Sequence, residues 1–188
     1  MTVTTQATTK IITGKVRLSY VALLEPKAFE GQEAKYSTVI LIPKTDKETI
    51  NRIKKAQRAA FEAAKNDKLK GVKWEKVKTT LHDGDEEMDT DEHPEYTGHY
   101  FMSVSSRSKP QIIDKYKNPV DSEDEVYSGV YARVSLNAYA YNTAGNKGIS
   151  CGLNNVQIIA QGDYLGGRSS ADADFDEWED DEEDDDLI

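Results

Sequence analysis

Apolar and polar residues alternate over residues 10–24 (KIITGKVRLSYVALL), with Val16, Leu18 and Tyr20 on one face and Lys15, Arg17 and Ser19 on the other. Period two predicts a half-buried strand that shows two cations on its open side. After the turn-rich EPKAFEGQE, residues 36–42 (YSTVILI) form a β-branched apolar run that suits a strand covered on both faces, ended by Pro43. The period then changes. Ile50, Ile53, Gln57, Ala60, Phe61 and Ala64 recur at three- and four-residue spacing, which predicts a helix running to about Asn66 with this stripe packed on a sheet. Thr45, Asp46, Lys47 and Glu48 have the form of a capping box, with Thr45 as the cap and Glu48 returning the bond. Arg52, Lys54, Lys55, Arg58 and Lys65 lie mostly off the stripe and read as a solvated basic face. Residues 67–80 (DKLKGVKWEKVKTT) alternate lysine with valine and tryptophan, predicting a short exposed strand or hairpin arm, and residues 82–95 (HDGDEEMDTDEHPE) read as a polar acidic loop. Further strands are expected at 99–106, 111–114, 128–142 and 148–161. The pattern describes a mainly β fold with one principal helix.

The stretch SGVYARVSLNAYAYN, residues 128–142, carries the most chemistry. Val130, Ala132, Val134, Leu136, Ala138 and Ala140 make a core face, while Tyr131, Arg133, Ser135, Asn137, Tyr139 and Tyr141 make the opposite one. Such a face extends roughly 35 Å at about 3.3 Å per residue. Rings interleaved with a cation suit single-stranded nucleic acid, whose unpaired bases offer π-faces and whose phosphates offer negative charge; stacking contributes about 1–3 kcal/mol per base in any sequence. The competing role for these tyrosines is to pack beneath a hairpin or a second sheet. Lys15 and Arg17 on the first strand, Arg107 and Lys109 in a short cationic turn, and Tyr116 in a loop extend the candidate surface.

The charge at first argues against this reading. The chain has 188 residues with 34 acids against 24 bases, a net charge of −10. However, residues 171–188 (ADADFDEWEDDEEDDDLI) hold twelve of the acids and no base, which leaves 22 acids to 24 bases elsewhere, a net +2. Residues 1–80 alone carry 17 bases and 8 acids. The sequence divides into a flexible N-terminus (1–9), a folded domain (10–167) and an acidic tail (168–188) too poor in apolar residues to offset its ordering entropy. Within the tail, Phe175 and Trp178 sit among acids, and Asp184, Asp185, Asp186, Leu187 and Ile188 end the chain on an apolar tip.

Other chemistries lack their signatures. The acidic loop begins like a calcium loop at Asp83, Asp85, Glu87 and Asp89, but Met88 and Pro94 stand where glycine and the bidentate glutamate belong. Asp114, Lys115, Glu123 and Asp124 only loosely resemble a metal-nuclease site. His82, His93 and His99 lack zinc spacing, no phosphate loop occurs, and Cys151 in a strand-like run reads as a buried thiol. No cofactor or metal is expected. No apolar run reaches membrane-span length, and the N-terminus lacks the regions of a signal peptide, so a soluble, cytoplasmic protein is expected.

Taken in order, R-L-S-Y at 17–20, Y-S-T-V-I-L-I-P-K at 36–44, L-H-D-G-D at 81–85 and S-S-R-S-K-P-Q-I-I-D at 105–114 form a recognisable set. V-Y-S-G-V-Y-A-R-V at 126–134, Tyr139 with Tyr141, G-I-S-C-G-L-N-N-V-Q at 148–157 and L-G-G at 165–167 complete it. Over residues 13–167 the chain resembles the tailed-bacteriophage single-stranded DNA-binding proteins of OB-fold type. The resemblance implies an oligonucleotide-binding β-barrel with extended hairpin and loop insertions. It would coat single-stranded DNA during phage replication and recombination, in the cytoplasm of the infected host. It also implies a C-terminal tail that recruits replication or recombination proteins; a homo-oligomer is compatible with the chain. Two rivals are an acidic DNA mimic that inhibits a host DNA-binding enzyme, and a metal-dependent nuclease centred on Asp114.

Overall fold

Strand β1 (Lys10–Ile12) and strand β2 (Val16–Lys27) both run antiparallel to β7 (Tyr131–Thr143), so the first apolar run is one pairing edge interrupted at residues 13–15. Thr13 holds the interruption, donating its amide to the Val134 carbonyl and accepting the Val134 amide on its hydroxyl. The computed structural model describes residues 8–28, 30–165 and 175–178. Strand β2 pairs with β3 (Lys35–Pro43), β3 with β5 (His99–Ser106), and β5 runs parallel to β8 (Asn146–Ala160). Strand β8 returns antiparallel along β7, closing a ring of β2, β3, β5, β8 and β7. The β5–β8 closure is thin, a single registered pair of Ser105 with Gly152. Strand β4 (His82–Asp83) adds to β5, and β6 (Gln111–Ile113) lies parallel to β8. This is an OB-type fold, with the long β7–β8 hairpin as its largest extension.

Helix α1 (Lys47–Ala64) buries the expected stripe of Ile50, Ile53, Gln57, Ala60, Phe61 and Ala64, with Thr49 and Ala56 added to it, against β1 and β7. Its cap is Asp46, not Thr45. The Asp46 carboxylate accepts the Thr49 amide and hydroxyl, a charged acceptor placed at the positive end of the helix, and Glu48 instead pairs with Arg52 one turn on. The core gathers Val16, Leu18, Leu23, Ile40, Ile42, Met102, Val104 and the inward face of β7.

Three segments depart from their expected forms. Residues 67–80 are turns and a 3-10 turn (Trp74–Lys76) rather than an arm: Leu69 is buried, and Trp74 packs on Phe61 with the Arg58 guanidinium over its indole. Their apolar residues serve to close the end of the helix. The acidic segment is not a plain loop. It holds β4, the short helix α2 (Gly84–Glu87) and a 3-10 turn (Pro94–Tyr96). Tyr96 is buried and meets Phe101 edge-on at 5.1 Å, while His82 stacks on the same ring at 5.3 Å. Lys44 ties the segment down through Asp83 and Asp85, each at 2.7 Å. Strand β3 is therefore covered on both faces only at its Leu41 end, because Leu41, the cross-strand partner of Phe101, is buried outside the main core; Ser37 and Val39 face a groove.

The third departure is in β2. Alternation places Tyr20 on the core face with Val16 and Leu18, yet Tyr20 is 61% exposed. A positive φ of 47° turns it outward, and inward alternation resumes at Leu23, which is buried.

Candidate nucleic-acid interface

The outer face of the ring is a groove of about 650 Å³ lined by residues of β2, β3, β5 and β8. Its surface is small and hydroxylic, contributed by Ser37, Val39, Ser103, Ser105 and Ser150, with Thr80 and Ser128 at its margin. Lys27, Lys35, Gln32 and Glu33 form part of the rim. Arg107, largely exposed, reaches the same rim through Glu33 at 3.5 Å. Phe101 and its covering segment lie beyond the far end of this face: the ring of Phe101 is occupied by His82 and Tyr96, and Tyr100 carries the Lys44 ammonium over its own ring.

Strand β7 keeps the alternation that its sequence dictates. Ala132, Val134, Leu136 and Ala138 are buried, and Arg133, Asn137 and Tyr139 are exposed, with Tyr131, Ser135 and Tyr141 half-buried. The outward residues nonetheless fall into four neighbourhoods. Tyr139 opposes Ser150 and stands beside Gly152, so it belongs to the groove. Tyr141 opposes Gly148 and lies across it: a Cβ there would sit 2.5 Å from the tyrosine hydroxyl, so glycine is what lets the ring lie flat on the hairpin. Arg133 donates to the Thr13 carbonyl and lines a shallow depression with Ile12 and Ile113, away from the groove.

Tyr131 forms the fourth neighbourhood, with Lys15 4.9 Å and Arg17 5.4 Å from its ring centre. Here the chain returns as a strap. The Arg17 fork donates to the Gly129 carbonyl at 3.1 Å and the Asp163 carbonyl at 2.8 Å. The Tyr127 hydroxyl donates to the Gly162 carbonyl and accepts the Gly162 amide, and Leu165 donates to Ser128. Gly129, at φ 118°, is required: a Cβ would fall 1.9 Å from the Asp163 carbonyl oxygen. Two donors of Arg17, Nε and Nη2, thus pin Asp163 of the strap against Gly129. The strap is described as far as Leu165, whose amide bonds the carbonyl of Ser128, one of the residues lining the groove.

Lys109 and Tyr116 are exposed, the latter with Lys115 over its ring. Asp114 caps its own turn, accepting the amides of Tyr116 and Asn118, and these bonds hold its carboxyl below the usual range. Among the described residues no cluster of three or more acidic, histidine or cysteine side chains is arranged to hold a metal ion. No described helix is long and apolar enough to cross a membrane. Of the tail, Phe175 and Trp178 are strongly exposed; Asp184, Asp185, Asp186, Leu187 and Ile188 lie outside the described residues, as does most of 1–9 and 168–188. The sequence reading missed Tyr20 and the serine-lined floor. The signal for the floor was present in the small polar residues at alternate positions, Ser37 on one strand and Ser103 and Ser105 on another.

The model of a family described as Enterobacter phage Enc34, ssDNA-binding protein, matches residues 9–188. Protein p50 of Acyrthosiphon pisum secondary endosymbiont phage 1 is 32% identical over 180 residues, which is 89% of this chain and 93% of its own. The single-stranded DNA-binding protein from bacteriophage Enc34, solved in complex with ssDNA, superposes with a TM-score of 0.70 at 24% identity, over 84% of this chain and 90% of that one. The single-stranded DNA-binding protein gp2.5 of bacteriophage T7 superposes with a TM-score of 0.58 at 14% identity, over 86% and 92%. At these identities the two superpositions show a shared fold.

Proposed function

The chain belongs to this family of phage single-stranded DNA-binding proteins, and on that premise we propose that it binds single-stranded DNA without sequence preference, coating and protecting it during phage DNA replication and recombination. The observation that carries the reading is the open groove on the ring's outer face, with hydroxyls on its floor, Tyr139 beside it and cations around its rim. Lys15, Lys35, Arg107 and Lys109 neutralise phosphates, while Tyr139, Tyr141 and Tyr116 offer faces for bases. Arg133 and Tyr131 extend the contact around β7, and Arg17 holds the strap that roots the tail. Each phosphate neutralised on a single strand contributes about −0.7 to the log–log dependence of affinity on salt.

The acidic tail completes the mechanism. Its charge competes with DNA for the same cations, and DNA displaces it. The released tail, with Phe175, Trp178 and the terminal Leu187 and Ile188, recruits replication or recombination proteins, its acids steering the encounter. Tethering through Leu165, bonded to Ser128 of the groove lining, raises the effective concentration of the competitor. Binding of this kind needs no cofactor and no catalytic step, and its place is the cytoplasm of the infected host. Two labelled single strands of identical composition and scrambled order test the reading. Equal affinities are expected. A strong preference for one order would contradict sequence independence, and binding to neither would overturn the function.

A further inference from the structure

The register of the ring lines up small residues across four strands. Ala22 opposes Ser37, Ser37 opposes Ser105, and Ser105 opposes Gly152. Their chain neighbours Leu23, Thr38 and Val104 are buried, which places this row on the outer face. With strands about 4.8 Å apart, three gaps make a trough roughly 14 Å long running across the strands. An aromatic ring stands near each end: the Cε1 of Tyr139 lies 3.7 Å from where a Gly152 Cβ would be, and Tyr20 rises beside Ala22 on the groove wall.

The backbone of Tyr20 is strained. Ser19 opposes Val39 and Ala22 opposes Ser37, so Tyr20 and Val21 together occupy the place of one residue, Thr38. Such a bulge with a left-handed residue is ordinarily made with glycine, and a bulky side chain reaches the conformation only against a steric penalty. Stability alone favours glycine at position 20. A strained residue that holds a large ring out over a groove points to a role in binding.

We infer that the trough is the floor of a track that takes single-stranded DNA with its bases turned inward, and that Tyr20 is its stacking post. This rests on the single-stranded DNA-binding reading. The serine hydroxyls of the floor both donate and accept, so they match the edge of any base. The row from Ala22 to Gly152 holds no cation, which leaves phosphates to the rim around Lys35 and Arg107. A duplex, whose bases are already stacked and paired, has no free faces to offer the post.

The test is Tyr20→Gly beside Tyr20→Phe, titrated with fluorescent oligo(dT) over a salt series and followed by thermal unfolding. Tyr20→Gly is expected to weaken binding about 5- to 150-fold, the loss of one stacked base. The salt slope stays unchanged and the unfolding temperature is equal or higher. Tyr20→Phe keeps most of the affinity. The rival role is a structural cover for Tyr96, which lies close enough to sense Tyr20 electrostatically. Weaker binding accompanied by a lower unfolding temperature would show that role and overturn the inference, as would a Tyr20→Gly affinity within twofold of the parent. Failure of the parent itself to bind would instead overturn the functional reading.

Discussion

Arg17 and Arg107 both look like phosphate ligands in the sequence, yet their surroundings predict opposite behaviour. In Arg17→Gln the two bonds to the Gly129 and Asp163 carbonyls and the contact with the Tyr131 ring are lost. Hydrogen bonds from charged donors contribute about 1.5–3 kcal/mol when buried. One of these is exposed, so about 1 kcal/mol each is the fair figure, with roughly 0.5 kcal/mol for the cation–π contact. The sum, about 2–3 kcal/mol, lowers Tm by roughly 4–12 °C in a chain of this size. Because its Nε and Nη2 donors are spent on backbone carbonyls and not on a phosphate, the salt slope of DNA binding is expected to stay where it was. Arg107, exposed and paired only loosely with Glu33, gives the reverse in Arg107→Gln. Stability stays within about 0.5 kcal/mol, and the slope falls in magnitude by about 0.7. Calorimetric unfolding and a salt series of titrations on both variants read the two quantities. A reduced slope with unchanged Tm in Arg17→Gln would refute the strap assignment.

Leu41→Ala removes a buried side chain beneath the acidic segment, and a loss of about 2–5 kcal/mol with unchanged m-value in urea is expected; a loss below about 1 kcal/mol would deny the second small core. Lys44 holds the carboxyls of Asp83 and Asp85 below their usual value, chiefly through hydrogen bonds. A depressed folded-state pKa contributes stability that is fully present above the unfolded value near 3.8 and lost as pH falls through the folded one. Hydrogen exchange in residues 82–98 should therefore accelerate as pH drops below about 4 relative to the rest of the chain, and Lys44→Met should abolish the difference; equal acceleration in both proteins would contradict the tether. Burial pushes the Cys151 thiol up to about 11, so native protein should resist a thiol reagent at pH 8 and react only on unfolding. Rapid stoichiometric labelling of the native protein would show that the thiol is accessible.

What was legible in the sequence followed from unbroken periodicity. The inward and outward faces of β7 and the stripe of α1 are dictated by spacing alone, and the structure keeps both. What was hidden came from breaks in periodicity that carry no residue signal. The bulge in β2 places a tyrosine where glycine would have announced it. Trp74 alternates with lysines as a strand position does but packs on Phe61, thirteen residues back in the helix, and Tyr96, at the end of an acidic run, turns under Phe101 through a 3-10 turn that no periodicity marks. The capping box failed because two adjacent residues, Thr45 and Asp46, can both cap, and the carboxylate is the stronger acceptor. The strap depends on carbonyl acceptors, which no side-chain pattern records, and that is why Arg17 reads as a free cation in the sequence alone.

On the proposed function, a basic, aromatic outer face binds single-stranded DNA and the acidic tail opposes it. Titration of oligo(dT) with the intact chain and with a chain ending at residue 170, across a salt series, tests both halves at once. Both chains are expected to bind, the shortened one more tightly at low salt, with a log–log slope of roughly −3 to −4 for four to six phosphates neutralised. No binding by the shortened chain at low salt, or binding indifferent to salt, would contradict it.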